Sequence, residues 1–150
     1  MSSPSKTGRS IEILERVRYS ETDQMGVAHN KAYFEWFEIG RTEYCRQKGI
    51  PYRDIEASGY YLVVVEASCQ YRRALRYDEP FLIRVTLEEL SPKKAVFSYE
   101  LLTFEERDLI ATGSTVHIVT DLKSRVRPLP EPILKRLGAS FSKPQKKRPG

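Results

Sequence analysis

Residues 30–48 read NKAYFEWFEIGRTEYCRQK, and the stretch that leads into them, residues 19–30, reads YSETDQMGVAHN. Tyr33, Phe37, Gly40 and Tyr44 recur at spacings of four, three and four, which lays one apolar stripe along an α-helix. Phe34 and Trp36 widen that stripe, while Glu35, Glu38, Arg41 and Glu43 interrupt it. Asn30 is a favourable N-cap, and Gly49-Ile50-Pro51 is a stop signal. A single long helix is therefore predicted from about Lys31 to Lys48, and its aromatic load predicts burial on most of its faces. Such a helix needs a sheet to pack on.

The flanks supply one. Upstream, IEILERVRY (11–19) alternates as a strand, with Ile11, Ile13, Glu15, Val17 and Tyr19 on one face. Downstream, the short YRDIEASG (52–59) has helical character. After it YYLVVVEASCQYRR (60–73), EPFLIRVTLEEL (79–90), KAVFSYELLTF (94–104) and LIATGSTVHIVTD (109–121) alternate as strands. Turns fall at LRYDEP, LSPKK and EERD, and LPEPILKRLG (129–138) closes the chain's ordered part as a short helix entered through Pro132. Consecutive strands joined by short turns make an antiparallel sheet. The prediction is an α+β fold: a five-stranded antiparallel sheet around a long central helix.

At 150 residues, with 40% hydrophobic and 30% charged residues, the chain has the size and composition of one globular domain. Its expected limits are 11–138, with flexible termini at 1–10 and 139–150. No apolar run approaches the ~20 residues that span a bilayer, and MSSPSKTGRS has no signal-peptide core, so neither anchor nor leader is expected. Cys45 and Cys69 are too few for a disulfide framework, which makes the expected compartment the cytoplasm. Part of the +5 net charge is tail: Lys143, Lys146, Lys147 and Arg148 sit in SKPQKKRPG, where nothing apolar would fold them. Without them the domain is near neutral, so nucleic acid is not an expected partner. No zinc spacing or phosphate-cradling glycine loop is present either, and no metal or cofactor is expected.

The segment Y-x-E-T-D-x-x-G-V, followed by a Tyr and F-E-x-x-R-x-E in the helix, resembles the hotdog-fold acyl-CoA thioesterases of the 4-hydroxybenzoyl-CoA thioesterase type. The matching residues are Tyr19, Glu21, Thr22, Asp23, Gly26, Val27, Tyr33, Phe37, Glu38, Arg41 and Glu43, and the resemblance spans roughly residues 12–130. It implies a helix held in a curled antiparallel sheet, and subunits paired as homodimers that can assemble into homotetramers, with active sites at the interface. It also implies an acyl-CoA thioester as substrate, Asp23 as the catalytic carboxylate, and a backbone N–H at Asn30 that polarises the thioester carbonyl. Many relatives carry His where this chain has Asn30. Asn keeps the backbone donor but cannot take up a proton.

The residue chemistry agrees with that transfer. The first N–H groups of a helix lack intrahelical acceptors and face a favourable dipole, which suits a developing oxyanion. Asp23 precedes that helix start closely enough to act as nucleophile, through a mixed anhydride, or as general base on water. Turn chemistry alone would also place an Asp there. Gly26 supplies backbone freedom and, with Val27, an approach for substrate. His29 is either a substrate contact or a polar residue at the surface. Tyr33 lines the acyl pocket or joins the core. Glu21 reads as solvated or ion-paired, and Glu38 with Arg41 as a helix ion pair. Cys69 reads as a buried inert thiol and His117 as a strand residue with a structural hydrogen bond. Lys93 and Lys94, with Arg72 and Arg73, are candidates for the phosphates of coenzyme A. Two alternatives share these features: a thioesterase for acyl groups on acyl carrier protein, and a non-catalytic acyl-thioester-binding protein.

Overall fold

The structure is a computed structural model that describes residues 9–139. The chain runs β1 (Ser10–Arg16), a 3-10 turn (Tyr19–Glu21), α1 (Asn30–Gln47), α2 (Tyr52–Ala57), β2 (Tyr60–Tyr71), β3 (Pro80–Ser91), β4 (Lys94–Thr103), β5 (Leu109–Asp121) and α3 (Glu131–Gly138). The strands form one sheet in the order β1-β3-β4-β5-β2, antiparallel throughout. This is the expected α+β hotdog arrangement. Arg9 and Ser10 are already tied to β3, Arg9 by a hydrogen bond to the Leu87 carbonyl and Ser10 by one to Thr86. The rest of the termini expected to be flexible, apart from Ala139, lies outside the described residues. Among the described residues, no helix is long and apolar enough to cross a membrane.

The α1 stripe packs as its spacing requires. Ala32, Tyr33, Trp36, Phe37, Gly40, Tyr44 and Cys45 are buried. Phe37 stacks on Tyr99 at 4.4 Å, Trp36 meets Phe81 at 4.6 Å, and Tyr44 meets Phe97 edge-on at 5.5 Å. Two glycines set how closely the helix approaches. A Cβ on Gly40 would lie 2.5 Å from a Val85 methyl of β3, and one on Gly113 would lie 2.3 Å from the Phe37 ring. A second cluster, built from Cys45, Ile55, Leu62, Val119, Ile133 and Leu137, seats α2 and α3 at the C-terminal end of α1.

Three expectations are corrected here. Burial of α1 on most faces does not hold: Lys31, Phe34, Glu35, Glu38 and Thr42 are exposed along one open side. The first strand stops at Arg16, opposite Pro80; Val17 still exchanges backbone hydrogen bonds with Glu79 and Asp78, but the chain leading into β3 turns at Asp78, where φ is +68°, and Tyr19 enters the 3-10 turn instead of a strand face. Asn30 is not the N-cap. His29 takes that position with extended backbone, and Asn30 is the first helical residue.

Candidate active site

The segment between the 3-10 turn and α1 is a closed loop. Thr22 and Ala28 form an antiparallel bridge, Asp23 N–H donates to the Val27 carbonyl at 2.9 Å, and Gly26 N–H donates to the Asp23 carbonyl at 3.0 Å. Gly26 makes the closure feasible with φ at +80°, and nothing lies within 4 Å of the place a Cβ would occupy. The outer side of the loop is stitched to the β2–β3 connection: Ala28 N–H donates to the Leu75 carbonyl, Val27 bridges Arg76, and Tyr77 N–H donates to the Gly26 carbonyl.

Inside this loop the Asp23 carboxylate has a defined direction. Oδ1 accepts from the Met25 N–H at 2.8 Å and the Val27 N–H at 3.3 Å. Among the described residues Oδ2 has no hydrogen-bond partner, and the side chain is exposed. Turn chemistry and an available carboxylate oxygen therefore coexist in one residue. At the end of the loop α1 begins. Its first N–H groups, on Asn30 and Lys31, have no acceptor among the described residues.

Glu21 holds loop and helix together; its burial corrects the solvated alternative, while Arg18 at 4.0 Å meets the ion-paired one. It is buried, its Oε2 accepts the Trp36 indole N–H at 3.1 Å, and its Oε1 accepts the Arg18 N–H at 2.8 Å. Its carbonyl also takes the His29 N–H at 3.0 Å. Nothing in the local sequence marks this role, because the partner Trp36 lies in the next element.

From the α1 N-terminus a groove of about 360 Å³ runs between α1 and β2, lined by Lys31, Phe34, Glu38, Arg41, Val64 and Thr115. It shares Glu38 and Arg41 with a deeper cavity of about 160 Å³ that reaches Cys45 and His117. Glu38 and Arg41 make no ion pair with each other, contrary to expectation. Arg41 turns instead toward the Tyr99 hydroxyl at 3.5 Å, which shares a hydrogen bond of 2.6 Å with Thr115. His117 Nε2 lies 2.8 Å from the same Thr115 oxygen, and burial, followed by the Arg41 charge, pushes its pKa down to about 4. The structural hydrogen bond foreseen for His117 is present. Burial likewise pushes the Cys45 thiol up to about 12. Cys69 is half-buried, not fully buried as expected, and its thiol is also raised by burial.

The remaining candidates divide by position. Tyr33 takes its core alternative, buried edge-on against Trp36 and Tyr71. His29 is half-buried and makes no side-chain capping bond. Arg72 and Arg73 begin the connection beside the Asp23 loop, where Arg73 pairs with Glu79 at 2.8 Å. Lys93 and Lys94 sit in the β3–β4 turn at the opposite end of β3 from Pro80. That is roughly 35 Å along the strand, so one subunit does not bring them to Asp23. Lys94 pairs with Glu89 at 3.6 Å. Among the described residues no group of three or more metal-ligating side chains occurs.

Residues 17–137 match the thioesterase-like superfamily. The chain is 35% identical over 122 residues to an Aquifex aeolicus protein with a provisional esterase name, covering 81% of this chain and 93% of that one. It is 35% identical over 109 residues to Bacillus subtilis YneP, which carries a provisional acyl-CoA thioesterase name, with 72% and 78% of the two chains covered. The DHNA-CoA thioesterase of Staphylococcus aureus superposes with a TM-score of 0.76 at 30% identity, over 80% of each chain. Fold, loop and kinship agree: the chain belongs to the thioesterase-like superfamily and is a hotdog-fold thioester hydrolase.

Proposed function

We propose that this protein hydrolyses acyl-CoA thioesters, with the thioester carbonyl lodged between the Asp23 carboxylate and the N–H groups of Asn30 and Lys31. The observation that carries this reading is the half-committed Asp23. One oxygen is fixed by two backbone donors, and the other is open in the loop that delivers the chain to a helix N-terminus with unspent donors. Oδ2 either attacks the carbonyl carbon, giving a mixed anhydride and releasing the thiolate, after which water cleaves the anhydride to the free acid and restores the carboxylate, or removes a proton from a water that adds to the carbonyl carbon and expels the thiolate. In both routes the oxyanion gathers charge against the helix start, where no solvent reorganisation is needed. His29, at the N-cap, borders the same carbonyl, and Gly26 and Val27 line its approach.

The acyl group then lies in the groove along α1, over Phe34 and Val64. That groove is open on the side where β2 ends the sheet. Tyr61, Val63, Val64 and Val65 are exposed there, and the free edge of β2 has no partner among the described residues. A long apolar edge of this kind is a pairing surface, and a second copy of the chain is its proposed occupant, forming a homodimer. Antiparallel pairing of two β2 edges places one copy's β3–β4 turn at the other's Asp23 end. Lys93 and Lys94 therefore serve the phosphates of a thioester bound to the neighbouring copy, not their own.

The deciding experiment follows loss of thioester absorbance over acyl-CoAs from acetyl to palmitoyl, with aryl groups included. Asp23→Asn runs beside the parent, since Asn Oδ1 can still accept the Met25 and Val27 N–H groups and preserve the loop. A fall in kcat of about 10²–10⁴-fold is expected. Near-parental turnover in a folded Asp23→Asn protein would refute the assignment. Turnover on acyl carrier protein thioesters alone would move the substrate to the carrier. Label from ¹⁸O-water found on Asp23 after turnover would identify the anhydride route.

A further inference from the structure

The groove along α1 leaves from one side of the helix start, so the thiol portion of a bound thioester must leave over the other side, across the Asp23 loop. On that side stand two exposed tyrosines. Tyr19 is 77% exposed and Tyr77 55%, and their rings meet edge-on at 5.7 Å with an interplanar angle of 88°. Both are tied to the loop by backbone. The Tyr19 carbonyl accepts the Thr22 N–H and hydroxyl, and the Tyr77 N–H donates to the Gly26 carbonyl. Met25, 80% exposed, stands at the loop tip between them in sequence. Phe34, Tyr61, Tyr71 and Phe104 are also exposed, at 37–45%, but Tyr19 and Tyr77 exceed them all, which makes this pair an apolar patch beside the proposed reaction centre.

Its charge is selective. Arg16 is matched by Asp78 and Arg73 by Glu79, and Arg18 stands 4.0 Å from Glu21. Arg76, next to Tyr77 and bridged to Val27 by backbone, has no carboxylate partner for its side chain among the described residues. An exposed, edge-on pair of rings next in sequence to an arginine without a carboxylate partner matches a nucleotide: a base can stack on a free ring face, and a phosphate takes the guanidinium. The open space over Gly26 gives a path between the two.

We propose that Tyr19, Tyr77 and Arg76 form the surface that holds the adenine and a phosphate of coenzyme A, with the pantetheine arm crossing the Asp23 loop at Gly26. This rests on the reading of that loop as the place where the thioester sits. It assigns the nucleotide a foothold within the same chain as Asp23, independent of the distant Lys93 and Lys94.

The test measures binding without turnover. Free coenzyme A and pantetheine are titrated calorimetrically into the full-length Asp23→Asn protein, then into the same protein carrying Tyr19→Ala, Tyr77→Ala or Arg76→Gln. The parent should bind coenzyme A more tightly than pantetheine. Each alanine variant should weaken coenzyme A about tenfold and leave pantetheine unchanged, because the lost contact is base stacking. Tyr19→Phe and Tyr77→Phe should restore the affinity, and Arg76→Gln should weaken coenzyme A while flattening its salt dependence. Equal binding of the two ligands by the parent, or parental coenzyme A binding in all three variants, would overturn the proposal. Wild-type turnover of acyl-CoAs alongside that result would reject this surface and leave the thioesterase reading standing. Absence of both turnover and coenzyme A binding would reject both.

Discussion

Two buried polar residues carry consequences that exposed ones do not. Glu21 satisfies two donors with two oxygens, the Arg18 N–H and the Trp36 indole N–H. Glu21→Gln keeps the volume but offers only one oxygen acceptor, so one buried donor loses its partner, at a cost of about 1–3 kcal/mol. Denaturant melts should show this loss together with reduced kcat, because the Asp23 loop is hung from the same residue. An unchanged midpoint would remove Glu21 from the clamp. His117 makes a pH prediction. Its folded pKa is depressed to about 4 by burial and then by the Arg41 charge, below the ordinary value near 6.5. Between those values the unfolded chain binds a proton that the folded chain refuses. Its stabilising contribution is therefore complete above about pH 6.5 and is lost as pH falls toward 4, by roughly 3 kcal/mol in total. Melts across that range should slope accordingly, and His117→Gln should flatten the slope. At this scale the sequence was legible where partners are near. Gly26 and the Asp23 turn follow from TDQMG, and a structural hydrogen bond at His117 was foreseen. The Glu21–Trp36 clamp and the Tyr19–Tyr77 pair were not, because each joins residues from different elements.

Among the elements, α1 was the most legible, since its stripe and stop signal need only local spacing. Its boundary moved by one residue at the start, where Asn30 became the first helical residue and His29 the cap. The four later strands keep close to their expected bounds, but β2 does not bury alternate residues, since Leu62 alone is buried along it. β1 ends early, where Val17 exchanges backbone hydrogen bonds with Glu79 and Asp78 at the turn before β3, a pairing that local pattern does not reveal. Gly40 shows how an element-level fact hides in a pattern. It belongs to the apolar stripe by spacing, yet its contribution is the absence of a side chain where α1 meets β3. Gly40→Ala would put a Cβ 2.5 Å from the Val85 methyl and 3.1 Å from an Ile83 methyl. Both contacts are side-chain methyls within a packed sheet, so the helix must lift or the methyls must leave their rotamers, at about 1–3 kcal/mol. Gly113→Ala is expected to be the more damaging of the two, since its Cβ would also meet the Ser68 backbone oxygen at 2.7 Å. Equilibrium unfolding should rank the parent above Gly40→Ala, and Gly40→Ala above Gly113→Ala. The reverse order of the two variants would mean that the α1–β3 approach is the tighter constraint.

At the scale of the whole molecule, the open face of α1 and the bare edge of β2 describe one unfinished surface. The expectation that α1 would be buried on most faces came from its aromatic content, and Phe34 is where a single subunit falls short of it. A second copy added along β2 would cover that edge, roof the groove and complete the burial that the composition calls for. The sequence shows the apolar residues but not what would cover them, because nothing in one chain's periodicity separates a core position from a contact between copies. Val65, 54% exposed and beside the irregularity that interrupts the β2–β5 register between Val64 and Glu66, is a discriminating probe. A lysine on an edge strand resists pairing with another edge while leaving its own sheet bonds intact. Val65→Lys should therefore remain folded, elute at the monomer mass under light scattering, and lose turnover in proportion to the lost dimer. Dilution of the parent should lower its specific activity through the same dissociation, and added protein should restore it. A parent that is monomeric and fully active would separate catalysis from assembly, leaving the groove along α1 to work open to solvent.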